Sequence, residues 1–385
     1  MKHRIIAINL PQFHPFPEND KWWGKGFTEW TNVTKARPRF KGHYQPHLPA
    51  DTGIYDMRLP ETRQMQADMA REYGISGFCY YHYWFNGKQL MERPVNDMLK
   101  SGEPDFPFML CWANENWTRN WDGLSQNILI KQDYSEGDDM NHIRYLCENV
   151  FPDKRYIRID GKPVFGIYRI ELFPDFKQTV EIWRKIAKEE YGMGLYLISA
   201  ESLPSPKGKE ALLFGLDATF EFQPLTGGWH LRKMYRYAIL RRVCNRLPLL
   251  RKWPFLRNRI DNQPSLTNYE ELVEKQKEKS WTNSRVYPCV SPSWDNSPRR
   301  ENKSFFMLTG STPALFGEWL RDVLTRFTPF SEEENLVFIN AWNEWAEGNH
   351  MEPDQKWGTA YLEEVRKAVA EIEERKLANS LDCSG

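Results

Sequence analysis

Eight short apolar runs, most of them separated by segments of helical periodicity, constrain this chain more than any other feature. They are Ile5–Leu10, Gly77–Tyr83, Phe108–Ala113, Val164–Tyr168, Leu195–Ala200, Ala218–Phe222, Val286–Val290 and Leu336–Ala341. Runs of this kind, rich in β-branched and aromatic residues, indicate parallel strands buried on both faces. The clearest helix between them is Pro60–Tyr73: proline at a first-turn position, Met65, Met69 and Tyr73 four apart, and Gly74 as a stop. Further helices are predicted near Thr179–Tyr191, Tyr269–Lys279, Pro313–Phe327 and Tyr361–Lys376. Eight strands alternating with helices is the count for a (β/α)8 TIM barrel, with a doubly wound open sheet as the competing layout.

The strand ends favour the barrel. Polar or aromatic residues follow nearly every run: Gln12 and His14, His82 and Trp84, Asn114 and Glu115, Tyr168 and Arg169, Glu201, Glu221, Trp294 and Asp295, then Asn343, Glu344 and Glu347. A closed barrel converges such residues on one face, whereas an open sheet would gather them at a single crevice. The predicted domain spans residues 1–378, with residues 379–385 as a frayed tail. Two segments interrupt the pattern. Pro15 to Asp56 is a first loop too long to be a plain connector, which suggests a rim or lid. Leu231 to Ile260 carries ten Lys/Arg and no acid. A solvated insertion and a contact with an anionic membrane or a phosphate-bearing glycan carrier are both open for it.

Lys+Arg and Asp+Glu are both 52, which removes any global argument for a nucleic-acid partner. The six cysteines show no metal-like or disulfide spacing, and Cys79, Cys111 and Cys289 read as small core residues. No run reaches membrane-span length and no secretory leader is legible, so the expected location is cytoplasmic, or peripheral at the inner membrane surface through 231–260.

The chemistry concentrates after the last run. Ala341-Trp342-Asn343-Glu344-Trp345-Ala346-Glu347 places two carboxylates three residues apart beside indoles. Breaking a glycosidic bond needs one group to protonate the leaving oxygen and another to stabilise or capture the cationic centre. Glu344 and Glu347 are the predicted catalytic pair, with tryptophans as low-dielectric walls able to separate their pKa values. Predicted substrate-binding residues are Gln12, His14, Glu29, Trp30, His43, His82, Trp84, Asn114, Glu115, Trp117, Tyr168, Glu221, Trp294, Asp295, Asn343 and Trp345. The histidines, including His43 and His47 four apart, read as partners for sugar hydroxyls. No metal and no cofactor is expected, because Gln45-Pro46 argues against a helix presenting that pair. Neither a glycine-rich phosphate loop nor an Asp-x-Asp pair is present for a nucleotide sugar.

Six blocks stand out: Leu10-Pro11-Gln12-Phe13-His14-Pro15, Trp22 to Val33, Gly42-His43-Tyr44-Gln45-Pro46-His47, Tyr81 to Phe85, Cys111 to Trp117 and Ala341 to Gly348. Together they resemble the WbsX-type family, related to glycoside hydrolase family 99, the endo-α-mannosidases. The resemblance runs from about Ile5 to about Glu364. It implies a (β/α)8 barrel and a retaining mechanism in which Glu344 deprotonates the sugar 2-hydroxyl. That oxygen attacks to give a 1,2-anhydro intermediate, while Glu347 acts as general acid and then general base. Where family 99 often has histidine between the two glutamates, this chain has Ala346. The WbsX-type branch accompanies O-antigen and lipopolysaccharide biosynthesis, so bond cleavage, transfer from a nucleotide sugar and non-catalytic glycan binding are the functions to weigh. The implied substrate is an α-linked, mannoside-like oligosaccharide or polysaccharide.

Overall fold

A computed structural model of the chain describes residues 3–119, 124–202, 207–224, 264–281, 285–300 and 305–382. The basic stretch Leu231–Ile260 lies outside them. The eight apolar runs become strands β1 (Arg4–Asn9), β2 (Gly77–Phe85), β3 (Phe108–Trp112), β4 (Lys162–Ile167), β5 (Tyr196–Glu201), β6 (Ala218–Glu221), β7 and β8 (Leu336–Ile339). Strand β7 comes in two pieces, Val286–Tyr287 and Cys289–Val290, on either side of Pro288, which has no N–H to give to a ladder.

Every neighbouring pair is parallel, and the ring closes. Ile6 sits opposite Gly77, Phe78 opposite Phe108, Leu110 opposite Phe165, Val164 opposite Tyr196 and Ile198 opposite Ala218. The first piece of β7 pairs with β6 (Thr219 opposite Val286) and the second with β8 (Cys289 opposite Phe338). Strand β8 then pairs with β1, Leu336 opposite Arg4. The (β/α)8 architecture is therefore present, with the interrupted β7 bridging β6 and β8.

Helices Pro60–Glu72, Arg93–Ser101, Glu136–Asn149, Phe176–Tyr191, Lys209–Leu212, Tyr269–Lys277, Pro313–Arg326 and Ala360–Asp382 alternate with the strands. The last extends into the tail that the sequence suggested would fray. Strand residues Ile5, Ile6, Ala7 and Ile8 are at most 1% exposed, as expected of strands covered on both faces. Gly77 is required where β2 starts: a Cβ there would lie 2.8 Å from the Pro107 carbonyl oxygen. Cys79, Cys111, Cys147 and Cys289 are buried free thiols. Among the described residues no helix is long and apolar enough to cross a membrane.

Candidate active site

The segment after β8 folds back as a tight hairpin, Asn343–Glu344 pairing antiparallel with Asn349–His350. Its tip is one 3₁₀ turn, Trp345–Glu347. With three residues per turn, side chains at i and i+3 eclipse, so the spacing of Glu344 and Glu347 brings both carboxylates to the same side. Gly348 ends the turn at φ +54°, packed so closely on Asp295 that an added Cβ would sit 3.0 Å from the Asp295 Cβ. A side chain at this position would be strained in its backbone and crowded against the loop that follows β7.

Both carboxylates converge on Arg299, from the 3₁₀ turn Ser297–Arg299 after β7. Arg299 Nη1 is 2.7 Å from Glu347 Oε1, and Nη2 is 2.7 Å from Glu344 Oε2. The guanidinium also grips Glu29, whose Oε1 accepts from Nε at 3.0 Å and contacts Nη2. Glu29 is fully buried at the first position of helix Glu29–Lys35, held by its N–H donating to the Gln12 carbonyl. Three glutamates thus share one arginine. Burial pushes Glu344 up to about 8, against the pull of Arg299 and with the help of Glu347 and Glu29. Burial raises Glu347 as well. An acid pair in this setting retains a proton that solvated carboxyls would have lost, as general acid catalysis at neutral pH requires. Tyr81 and Tyr83, at the carboxyl end of β2, are close enough to feel the Glu344 charge, and Tyr168 feels Glu347 and Glu115.

The other predicted site residues divide by environment. Asn343 is a clamp: Oδ1 accepts from Leu10 N at 2.7 Å, and Nδ2 donates to the Leu10 carbonyl and to Asn9 Oδ1. Trp345 is fully buried, its Nε1 donating to Glu352 Oε2 at 2.6 Å and its ring stacked on His350 at 3.8 Å. Trp30 packs against Phe13, Tyr55 and Trp345, with Nε1 donating to the Tyr55 carbonyl. Asp295 Oδ2 contacts His43 Nε2 and accepts from Gln45 Nε2, both at 2.6 Å, and its N–H donates to the Glu347 carbonyl. Burial would raise Asp295, but these partners hold it below the usual carboxylate range. His43 and Asp295 therefore brace the turn that carries Glu344 and Glu347.

His82 and Trp84 belong to a separate buried cluster. His82 Nε2 lies 3.0 Å from His142 Nε2, and Trp84 stacks on His142 while donating to Asp138. Trp117 packs with Trp22, Trp23 and Tyr83 in a second aromatic group that includes Phe16 and Phe85. Asn114 bonds both the N–H and the carbonyl of Arg169, whose guanidinium reaches the exposed Glu115 at 3.0 Å. Glu221 is held by Lys279 and Trp281. Gln12, His14 and Trp294 are buried, and burial pushes His14 down to about 4.

Sequence reasoning missed Arg299 and Glu352. Glu352 is 1% exposed and accepts from Trp345, Tyr55 OH at 2.7 Å and Gln66 Nε2 at 2.7 Å, with burial raising it to about 7. Glutamine at 352 must present an amine where one of those donors now points. E352Q is expected to lower stability by about 1–3 kcal/mol in denaturant unfolding; an unchanged midpoint would show that this carboxylate does not anchor the indole.

The closed parallel barrel carries Glu344 and Glu347 at the carboxyl end of its strands, the end at which barrel enzymes keep their chemistry. The chain belongs to the family described as glycosyltransferase WbsX, which matches residues 5–365. It is 38% identical over 367 residues to the protein called WxcX, described as uncharacterized, in two strains of Xanthomonas campestris pv. campestris. The match takes in 95% of this chain and 49% of each relative, so the chain spans about half the length of the curated relatives it matches. In fold it is similar to a glycoside hydrolase-like protein, at TM-score 0.56 and 14% identity over 96% of this chain and 94% of that one. It is likewise similar to the GH99 endo-α-mannosidase of Bacteroides thetaiotaomicron, at TM-score 0.54 and 13% identity over 97% and 98%. At these identities the likeness is one of fold.

Proposed function

We propose that the chain acts on an α-linked, mannoside-like surface polysaccharide or its precursor, as a retaining glycosidase or transglycosylase. The observation that carries this reading is the pair Glu344 and Glu347 on one 3₁₀ turn, both joined to Arg299 in a buried setting. In the proposed reaction Glu344 takes the proton of the 2-hydroxyl, the 2-oxygen attacks the anomeric carbon, and Glu347 protonates the departing oxygen. Glu347 then accepts a proton from water or from an acceptor sugar, whose oxygen attacks the anomeric carbon and opens the anhydro ring, while Glu344 returns its proton to the 2-oxygen; the choice of acceptor decides between hydrolysis and transfer. Transfer from a sugar nucleotide is the second reading, favoured by the family's description. For location we propose the cytoplasm or the inner membrane surface.

The test is incubation with α-mannosyl oligosaccharides, with and without an acceptor sugar, followed by NMR of the new anomeric centre. Retained α configuration is expected. Because burial raises both carboxyls, kcat/KM is expected to be bell-shaped in pH, with both limbs above the usual carboxylate range: it falls at low pH as Glu344 becomes protonated and at high pH as Glu347 loses its proton. No product from any α-linked saccharide, together with product from a nucleotide sugar, would overturn the first reading in favour of the second.

A further inference from the structure

His47 lies in the first loop and His350 ends the hairpin that carries the two glutamates, yet their rings meet edge to face. His47 Nδ1 is 2.9 Å from His350 Nε2. Asp354, four residues past His350, turns back onto the same spot. Each of the three residues offers one ligand atom, and these atoms lie within 4.8 Å of one another.

The hydrogen positions follow from the partners. His350 Nδ1 lies 2.9 Å from the Glu352 carbonyl oxygen, which can only accept, so Nδ1 carries the hydrogen. Nε2 then presents a lone pair, and His47 Nδ1 donates to it. Asp354 Oδ1 is fixed by the N–H groups of Lys356 and Trp357, at 3.1 and 2.6 Å. The three residues line a cavity of about 140 Å³, which Tyr44, Trp294 and Lys356 also line.

We infer that His47, His350 and Asp354 form a binding site for a divalent cation of the zinc class, with the cavity at its open coordination position. Two imidazoles and one carboxylate are a donor set for first-row transition ions, with zinc the common occupant. Ligating histidines are usually oriented by a hydrogen bond from the other ring nitrogen, and His350 has that bond. The cation replaces the one hydrogen shared between the rings. His47 carries its proton on Nε2 instead of Nδ1, both facing nitrogens offer lone pairs, and no net proton is released. Zinc–nitrogen bonds of about 2.0–2.1 Å in a tetrahedral site require the two nitrogens to part by roughly half an ångström. Lys356 lines the same cavity and its charge opposes the ion, but its ammonium lies over the Tyr44 and Trp357 rings at 4.9 and 4.7 Å. The expectation of no metal was drawn from His43 and His47 without His350 and Asp354, some 300 residues away.

Such an ion ties the first loop to the hairpin from behind. Trp345, stacked on His350, belongs to the turn bearing the two glutamates, so the ion braces that turn. The inference stands apart from the glycosidase reading, and its test needs no substrate. The untagged full chain is stripped with a chelator and titrated with Zn²⁺ by calorimetry, then with Co²⁺, whose visible absorption reports nitrogen and oxygen ligation. One Zn²⁺ per chain is expected, with a rise in melting temperature. H47Q and D354N are each expected to weaken binding roughly tenfold or more. No uptake by the wild type, or equal uptake by wild type and both variants, would overturn the site. If neither variant folds, the wild-type Co²⁺ spectrum decides: a spectrum matching free aqueous Co²⁺ refutes the inference.

Discussion

Glu347→Gln is expected to lower turnover by about 10²–10⁴-fold while leaving saccharide affinity nearly unchanged. The amide keeps the shape of the side chain and its oxygen can still accept from Arg299 Nη1, now at 2.7 Å from Glu347 Oε1, but it has no proton of the right acidity to give. Substrates with good leaving groups need little protonation, so they should recover much of the lost rate in the first step. Activity within tenfold of the wild type on an ordinary glycoside would remove Glu347 from the acid role.

Arg299→Met should be the more damaging change to the fold. It leaves Glu29, Glu344 and Glu347 buried together without their shared guanidinium. Removing one partner of a buried ion pair typically costs about 3–5 kcal/mol. The sign of the pH dependence follows from the direction of the shifts. Glu344 already sits near 8 in the folded protein against a reference of 4.5, and losing the cation raises it further. The folded variant therefore binds more protons than the unfolded chain, so its stability falls as pH rises above the unfolded carboxyl range and recovers as pH drops. Urea unfolding at pH 8 and pH 5 checks this. A deficit of equal size at both would mean that the loss is one of packing and not of charge.

The barrel was legible because its strands are buried on both faces, which leaves unbroken apolar runs; all eight fall where the sequence puts them, to within a few residues. Helix Glu136–Asn149 was not legible, since its buried face carries Asp138, Asp139 and His142 and so blurs the apolar period. Glu344 and Glu347 stood out as candidates because two acids three apart after a buried run are unusual. Arg299 could not: Ser297-Pro298-Arg299-Arg300 has no pattern, and only the fold brings it to Glu29 and the pair. Asn343 and Trp345 looked like sugar ligands. An amide satisfies a strand end as well as a hydroxyl, and an indole stacks on histidine as well as on a sugar ring. Such choices are made by the three-dimensional neighbours, which local sequence does not specify.

The origin of the site residues around the ring bears on how activity first arises. Arg299 follows β7, the two glutamates follow β8, and Glu29 follows β1, three strands that are adjacent only because β8 pairs with β1. The contacts of Arg299 with Glu29 therefore span some 270 positions of chain. Local βα units can assemble during folding without bringing these groups together, because contacts so distant along the chain carry a large loop-closure cost and form late. Recovery of catalysis after dilution from denaturant would then lag behind recovery of helical signal, timing the moment at which the last strand docks against the first.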